Sequence, residues 1–446
     1  MVGVDTVVAA RGGKIRGFVT DEGLAEFRGI PFAHATRFAP PEPARPWTGV
    51  LDATAHGPIS PQPPVRPDGV MGVPHGVPDQ DEDCLNLTVL TPAADDRRRP
   101  VVLWLHGGAY VTGASSFGFY GGHRLVAEGD VVFVAPNYRL GALGYLRLPG
   151  VSPGNLGLLD QLEALRWVRD NVAAFGGDPD DVTVVGQSAG AHSIVCLMAL
   201  PQAHGLFRRV ILQSAPLGLR IAGARATART ARLFTAALGA DPRTASVGEI
   251  LRAQEETIVK AAGPGGVYSV PPFRPAAEAP PLPDVAAWLS RRARFAPEVD
   301  VLIGTTAEEM NSFLTGKPGF APLERFPLTA RGVAAVKAGI TRWMFGGPSR
   351  AFADQLAAAG GRVYSYVFDW GAPRSPYGAG HCVELPFLLG DDTAWRDAPM
   401  LAGADWATVD AIGRELRAAW LSFARTGTPS PGWPRHTPNR APHRLP

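Results

Sequence analysis

Cysteine is scarce in this chain. Cys84, Cys196 and Cys382 are the only thiols in 446 residues, an odd number with no C-x-x-C spacing, so neither a disulfide framework nor a metal knuckle is expected. Lysine occurs only at Lys14, Lys260, Lys317 and Lys337. Arginine supplies the rest of the 43 basic residues, which face 41 acidic ones. Charges almost cancel and no long basic run is interleaved with aromatics, which argues against nucleic acid as a partner. No apolar run is long enough to span a membrane. The N-terminus "MVGVDTVVAARGGKIRGF" has no basic head followed by a long apolar core, so a secretory signal is not expected and a cytoplasmic location is. Heavy use of arginine, alanine and proline fits a GC-rich bacterial genome. Asn86-Leu87-Thr88 matches a glycosylation sequon but reads as a piece of strand.

What is present is enough apolar material, 46% of residues, to build a large core. Length alone admits one large α/β domain or two to three smaller ones. From residue 101 to 214 short apolar runs alternate with helical patterns, as parallel strands covered by helices require. The runs are "VVLWL" (101–105), "VVFVAP" (131–136), "VTVVG" (182–186) and "VILQS" (210–214), with further strands expected at "VDVLIG" (299–304) and "RVYSYVFDW" (362–370). Between the second and third runs Leu156, Leu159, Leu162, Leu165, Val168, Val172 and Phe175 recur at steps of three or four, closed by Gly176-Gly177, which predicts a helix with its stop. The first hundred residues read as antiparallel edge strands and proline-rich coil. No repeat or linker divides the chain, so a single domain over 1–446 is expected, with a segment at about 215–290 as a pocket cap or a connector.

"GQSAGAHS" (186–193) stands where a strand meets a helix and fits G-x-S-x-G, a sharp turn that exposes a serine oxygen above a sheet. Ser188 is therefore a candidate nucleophile. A serine hydroxyl needs an adjacent base, itself oriented by a third group. In this turn the chain order is serine, acid, histidine. His381 in "GAGHCVELPF" is the histidine best placed after a strand; His204 precedes any plausible acid, and His436 and His443 lie in a proline-rich tail. For the acid, "VDVLIGTTAEEMNSFL" offers Glu308 and Glu309, and the residues alone do not choose between them. The glycine-rich loop "LHGGAYVTG" after "VVLWL" is suited to present backbone N–H groups to an oxyanion, with Gly107, Gly108 and Ala189 as candidate donors. His106 heads the loop and reads as its orienting residue rather than as a base.

These stretches, with "FRGIPFA", "EDCLNLTVLTP", "PNYRLGALGYL", "GTTAEEMNSFL" and "SFARTGTPSPGWP", resemble the type-B carboxylesterase family of the α/β-hydrolase fold, which includes para-nitrobenzyl-esterase-like enzymes, animal carboxylesterases and cholinesterases. The resemblance runs almost end to end. It implies a large, mostly parallel sheet flanked by helices, with small antiparallel N-terminal strands and a helical cap. It also implies a Ser188, Glu309, His381 triad, choosing the second glutamate, with oxyanion donors at Gly107, Gly108 and Ala189. The activity implied is hydrolysis of small-molecule carboxylic esters through an acyl-enzyme, with no cofactor and no metal. Carbamate, amide, thioester and lactone cleavage pass through the same tetrahedral intermediate, and some relatives are non-catalytic binding scaffolds.

The departures from the family are Gln187, where glutamate is common, and Met310, where glycine often follows the acid. The aromatic and cysteine of the choline-ester specialists are absent from the loop before Cys84. Tyr110, Gln187, Phe117 and Trp370 are candidate pocket residues. Ser214 resembles a second serine near the family's active site and is expected to support His381 by a hydrogen bond. Glu384 and His192 read as structural. Oligomeric state and natural substrate are not encoded in any motif.

Overall fold

All six apolar runs become strands of one twelve-stranded sheet in a computed structural model that describes residues 5–64, 69–262 and 270–446. In chain order the strands are β1 (Asp5–Ala10), β2 (Gly13–Val19), β3 (Ala25–Pro31), β4 (Val50–Asp52), β5 (Asn86–Thr91), β6 (Arg99–Leu105), β7 (Val132–Pro136), β8 (Gly177–Gln187), β9 (Arg209–Gln213), β10 (Asp300–Thr306), β11 (Val363–Phe368) and β12 (His443–Leu445). Across the sheet they lie in the order β1-β2-β3-β5-β7-β6-β8-β9-β10-β11-β12, with β4 beside β2. Along that order the pairs from β1–β2 to β5–β7 are antiparallel, the short β4 runs parallel to β2, and every pair from β7–β6 to β11–β12 is parallel.

Side chains on successive strand residues point to opposite faces, and the core divides accordingly. Val101, Leu103 and Leu105 join Val182, Val184, Val210 and Leu212 in one apolar cluster, while Val102 and Trp104 join Val185 and Ile211 in the other. The first face is covered by helices α1 (Leu156–Asn171) and α2 (Ala189–Leu197), the second by α3 (Trp406–Thr426). Both faces are thus buried, which is why the strands are continuous apolar runs rather than alternating ones. The helix expected from leucine spacing is α1, followed by a tight turn, Val172–Phe175, and stopped by Gly176 at φ 79°. Asp160 on α1 is fully buried and paired with Arg139, whose Nη2 lies 2.6 Å from Oδ1, so the charges are matched where water is excluded.

Asn86 is in β5, buried, and its side-chain N–H groups go to the carbonyls of Pro58 and Cys84, as a strand residue rather than a glycosylation site would have it. Among the described residues no helix is long and apolar enough to cross a membrane. The helical periodicity after residue 220 becomes Ala224–Leu238 and Val247–Ala262; part of the proline-rich stretch after it, 263–269, lies outside the described residues. The functional loops leave the C-terminal ends of β6, β8, β9, β10 and β11, where an open α/β sheet places its ligands.

Candidate active site

Ser188 is the single residue between the end of β8 and the start of α2. Its φ of 56° and ψ of −120° are strained for a non-glycine residue, and its N–H is anchored to the Gln213 carbonyl of the neighbouring strand at 2.9 Å. The flanking glycine explains how so sharp a turn closes: a Cβ on Gly190 would lie 2.0 Å from the Leu105 carbonyl oxygen, so only glycine lets the helix approach β6. Strain at this position is a conformational cost borne by the surrounding anchors, the pattern expected where a side chain must be presented rather than packed.

The loop after β6 presses directly on the elbow. A Cβ on Gly107 would lie 2.8 Å from Gln187 Oε1 and 3.1 Å from Ser188 Cβ. Ala109 and Tyr110 follow with consecutive positive φ values of 53° and 66°. The loop is fastened by Gln62, whose Oε1 accepts from Gly113 N at 2.7 Å and whose Nε2 donates to Gly113 O. The N–H groups of Gly107, Gly108 and Ala109 form no hydrogen bond among the described residues. The N–H of Ala189, first in α2, is one of the donors that a helix start leaves unused. His106 stacks on Tyr138 at 4.3 Å, and burial pushes its pKa down to about 4, so it is neutral and holds the loop.

Glu309 and His381 meet 72 residues apart in sequence. His381 Nδ1 lies 2.5 Å from Glu309 Oε2, and Glu309 Oε1 accepts from Thr306 N at 2.9 Å. Glu308 turns away, accepting from Ala379 N. Burial opposes a charge on the imidazole, but contact with Cys382 and the Glu309 carboxylate outweighs it and holds the His381 pKa well above its ordinary value. In the neutral imidazole with its proton on Nδ1 directed to Glu309, Nε2 is the free acceptor; Gln187 Nε2 lies 3.2 Å from it and donates to Cys382 Sγ at 3.3 Å. Gln187 is thus a direct neighbour of the histidine. Phe313 and Phe345 flank the imidazole at 5.0 and 5.2 Å.

The other expected residues fall in different places. Tyr110 is buried, with its hydroxyl 2.6 Å from Nδ1 of His192, one helical turn beyond Ser188. Phe117 lines a cavity with Leu24, Glu26, His123 and Tyr120 whose walls include none of Ser188, Glu309 and His381. Trp370 packs edge-on against Phe387. Among the described residues neither Phe117 nor Trp370 has a ring contact or hydrogen bond with Ser188, Glu309 or His381. The expected bond from Ser214 to His381 is not formed: Ser214 sits at φ 50° with its Oγ buried and without a partner among the described residues, and Ser312 Oγ instead donates to the His381 carbonyl at 3.0 Å. Met310 is fully buried with Leu219, Leu314, Met344 and Phe345, filling space a glycine would leave. Ser312 and Phe313 follow Glu309 within one turn and were legible in principle; Phe345 comes from too far along the chain.

Glu384, three residues past His381, is fully enclosed. Burial, with the Glu309 charge adding to it, pushes its carboxyl up to about 7. A folded value above the unfolded one means that this group's contribution to stability is complete below the unfolded pKa and is lost as pH rises through about 7. Glu384→Gln is therefore expected to gain on the parent by about 1.4 kcal/mol per pH unit between the two values, read as a melting-temperature difference that widens from pH 5 to pH 7 and then levels.

A carboxylesterase-family sequence model matches residues 4–322. A probable N-octanoylanthranilate hydrolase of Rhodococcus erythropolis is 45% identical, covering 97% of this chain and 95% of its own. The para-nitrobenzyl esterase of Bacillus subtilis (strain 168) is 34% identical over 96% and 92%. Among solved structures, a thermophilic para-nitrobenzyl esterase superposes with a TM-score of 0.83 at 33% identity, covering 97% of this chain and 94% of the other. A Geobacillus stearothermophilus carboxylesterase gives 0.81 at 33% identity over 99% and 96%.

Proposed function

The chain belongs to the carboxylesterase family and is a carboxylic ester hydrolase; from that premise we propose that it works through a Ser188–His381–Glu309 triad and a covalent acyl-enzyme. Ser188 Oγ attacks the ester carbonyl while His381 Nε2 takes its proton. Glu309 holds the imidazole in the required tautomer and stabilises the imidazolium. The N–H groups of Gly107, Gly108 and Ala189 receive the oxyanion, with Ala109 in the same unbonded run of donors. His381 returns the proton to the leaving alcohol, then activates the water that releases the acid. The reading needs no cofactor. The observation that carries it is the 2.5 Å Nδ1–Oε2 contact, which orients a buried imidazole whose Nε2 lies 3.2 Å from Gln187, the residue just before the strained elbow. Labelling with a fluorophosphonate followed by peptide mapping tests it: a single adduct on Ser188 is expected, and an adduct elsewhere, or none in a preparation that turns over ester, overturns it.

A second reading is favoured by the 45% identical relative, whose name describes hydrolysis of an N-acyl compound. The same triad would then cleave an acyl amide, with His381 protonating a nitrogen leaving group.

Gln187 gives this site its own pH response. Gln187→Glu would set a second carboxylate beside His381, favouring the imidazolium and raising its pKa. Because the base must be neutral, the acid limb of kcat/KM is expected to move up by about one pH unit. A pH–rate profile checks it, and turnover of a cationic ester is expected to rise relative to a neutral one.

A further inference from the structure

The glycine-rich loop and the nucleophile leave different strands, β6 and β8, and an oxyanion site built from both needs a fixed distance between them. The loop's own backbone does not supply it. Ala109 and Tyr110 sit at φ 53° and 66°, each costly for a non-glycine residue, so the turn persists only through what fastens it. Gln62 fastens the far end, at Gly113. The end next to the free N–H groups is fastened at Tyr110.

Three contacts hold that residue. Its carbonyl accepts from Gly141 N at 2.7 Å, its ring meets Tyr145 edge-on with centroids 4.8 Å apart, and its hydroxyl lies 2.6 Å from Nδ1 of His192. The first two tie the loop to the body of the protein, and the third ties it to α2. His192 N in turn donates to the Ser188 carbonyl at 2.9 Å, the bond that opens this helix. A closed path therefore runs from the Ala109 N–H through Tyr110 and His192 to the backbone of Ser188. Both side chains on it are buried. Burial raises the phenol and pushes the imidazole down to about 3, so both are neutral and one proton lies between them. Removing either partner strands the other where water is excluded.

We infer that the Tyr110–His192 bond is a strut that sets the spacing between the loop N–H groups of 107–109 and the nucleophile Ser188, which makes both residues positioning residues for the tetrahedral step. Tyr110, expected from the sequence to line the pocket, acts instead through His192 and the helix. Donors must lie within hydrogen-bond reach of the oxyanion that forms, not of the ground-state carbonyl, so a slackened loop costs turnover more than binding. The inference rests on the serine mechanism proposed above and adds what holds its oxyanion site in register.

The test measures 4-nitrophenyl butyrate turnover beside inhibition by an alkyl trifluoromethyl ketone, whose adduct with the serine carries the oxyanion. Tyr110→Phe, which removes one oxygen and least disturbs packing, and His192→Ala are each expected to lower kcat about 10- to 100-fold while KM stays within about twofold. Ketone affinity should weaken by a similar factor. His192→Asn, which keeps a polar group near the Nδ1 position, should recover part of both losses. Because each substitution removes the same bond, the double variant Tyr110→Phe/His192→Ala should lose no more than the worse single one. Rates are taken per folded molecule, with the melting temperature recorded for each variant. Losses that multiply in the double variant, an unchanged kcat in Tyr110→Phe, or ketone affinity that stays parental while kcat falls would each overturn the strut. A parent enzyme that turns over the ester but is not inhibited by the ketone would overturn instead the serine mechanism on which the strut depends.

Discussion

Ser188→Ala is expected to lower kcat/KM for 4-nitrophenyl butyrate by about 10⁶-fold, the scale at which loss of a triad nucleophile leaves only the oxyanion donors and binding to act. The residue sits at φ 56°, where alanine is strained much as serine is, and the Ser188 N–H bond to Gln213 O does not depend on the side chain. The fold should therefore persist, and the melting temperature should remain close to the parent's. The burst of 4-nitrophenol that reports acyl-enzyme formation should vanish together with steady turnover. A variant that folds and keeps parental turnover would mean that water attacks the ester without a covalent stage, and would remove Ser188 from the mechanism. Because alanine leaves the loop donors of 107–109 in place, residual hydrolysis above the uncatalysed rate measures what they contribute alone.

The elbow and the glycine loop packed on it were legible because their geometry is local. Gly190 is dictated by a backbone approach within a pentapeptide, and the strand before Ser188 by a run of β-branched residues buried on both faces. The pairing of His381 with one of two adjacent glutamates was not legible from the residues: it depends on which side of the turn after β10 faces inward, and that is decided by Thr306 N closing back on Glu309 Oε1. Family resemblance supplied the choice that local physics left open. The pocket aromatics illustrate the converse. Phe117 and Trp370 are near the functional loops in sequence, but loop direction takes them to a separate cavity and to Phe387, whereas Phe345 reaches the imidazole from a segment with no motif. Gln187 lay between these cases: its departure from the family was readable, and its contact with His381 Nε2 was not.

The two neighbouring glutamates give the second large effect. Glu309→Gln is expected to cost about 10⁴-fold in kcat, because an amide can donate to Nδ1 and so favours the tautomer with its proton on Nε2, where the base must accept. Glu308→Gln should lose less than about tenfold, since its role is to accept one bond from Ala379 N and an amide oxygen can still do so. The pH dependence separates a catalytic from a packing role. Glu309 is one of the groups that hold the His381 pKa above its ordinary value, so removing its charge lowers that pKa. The base is then neutral to lower pH, and the acid limb of kcat/KM should shift downward even as the plateau collapses. Glu308→Gln should leave the limb where it is. If the plateau of Glu309→Gln fell without movement of the limb, the defect would be one of imidazole placement alone; if Glu308→Gln showed both changes, the acid would be the other glutamate and the 2.5 Å contact would not be the one that works during turnover.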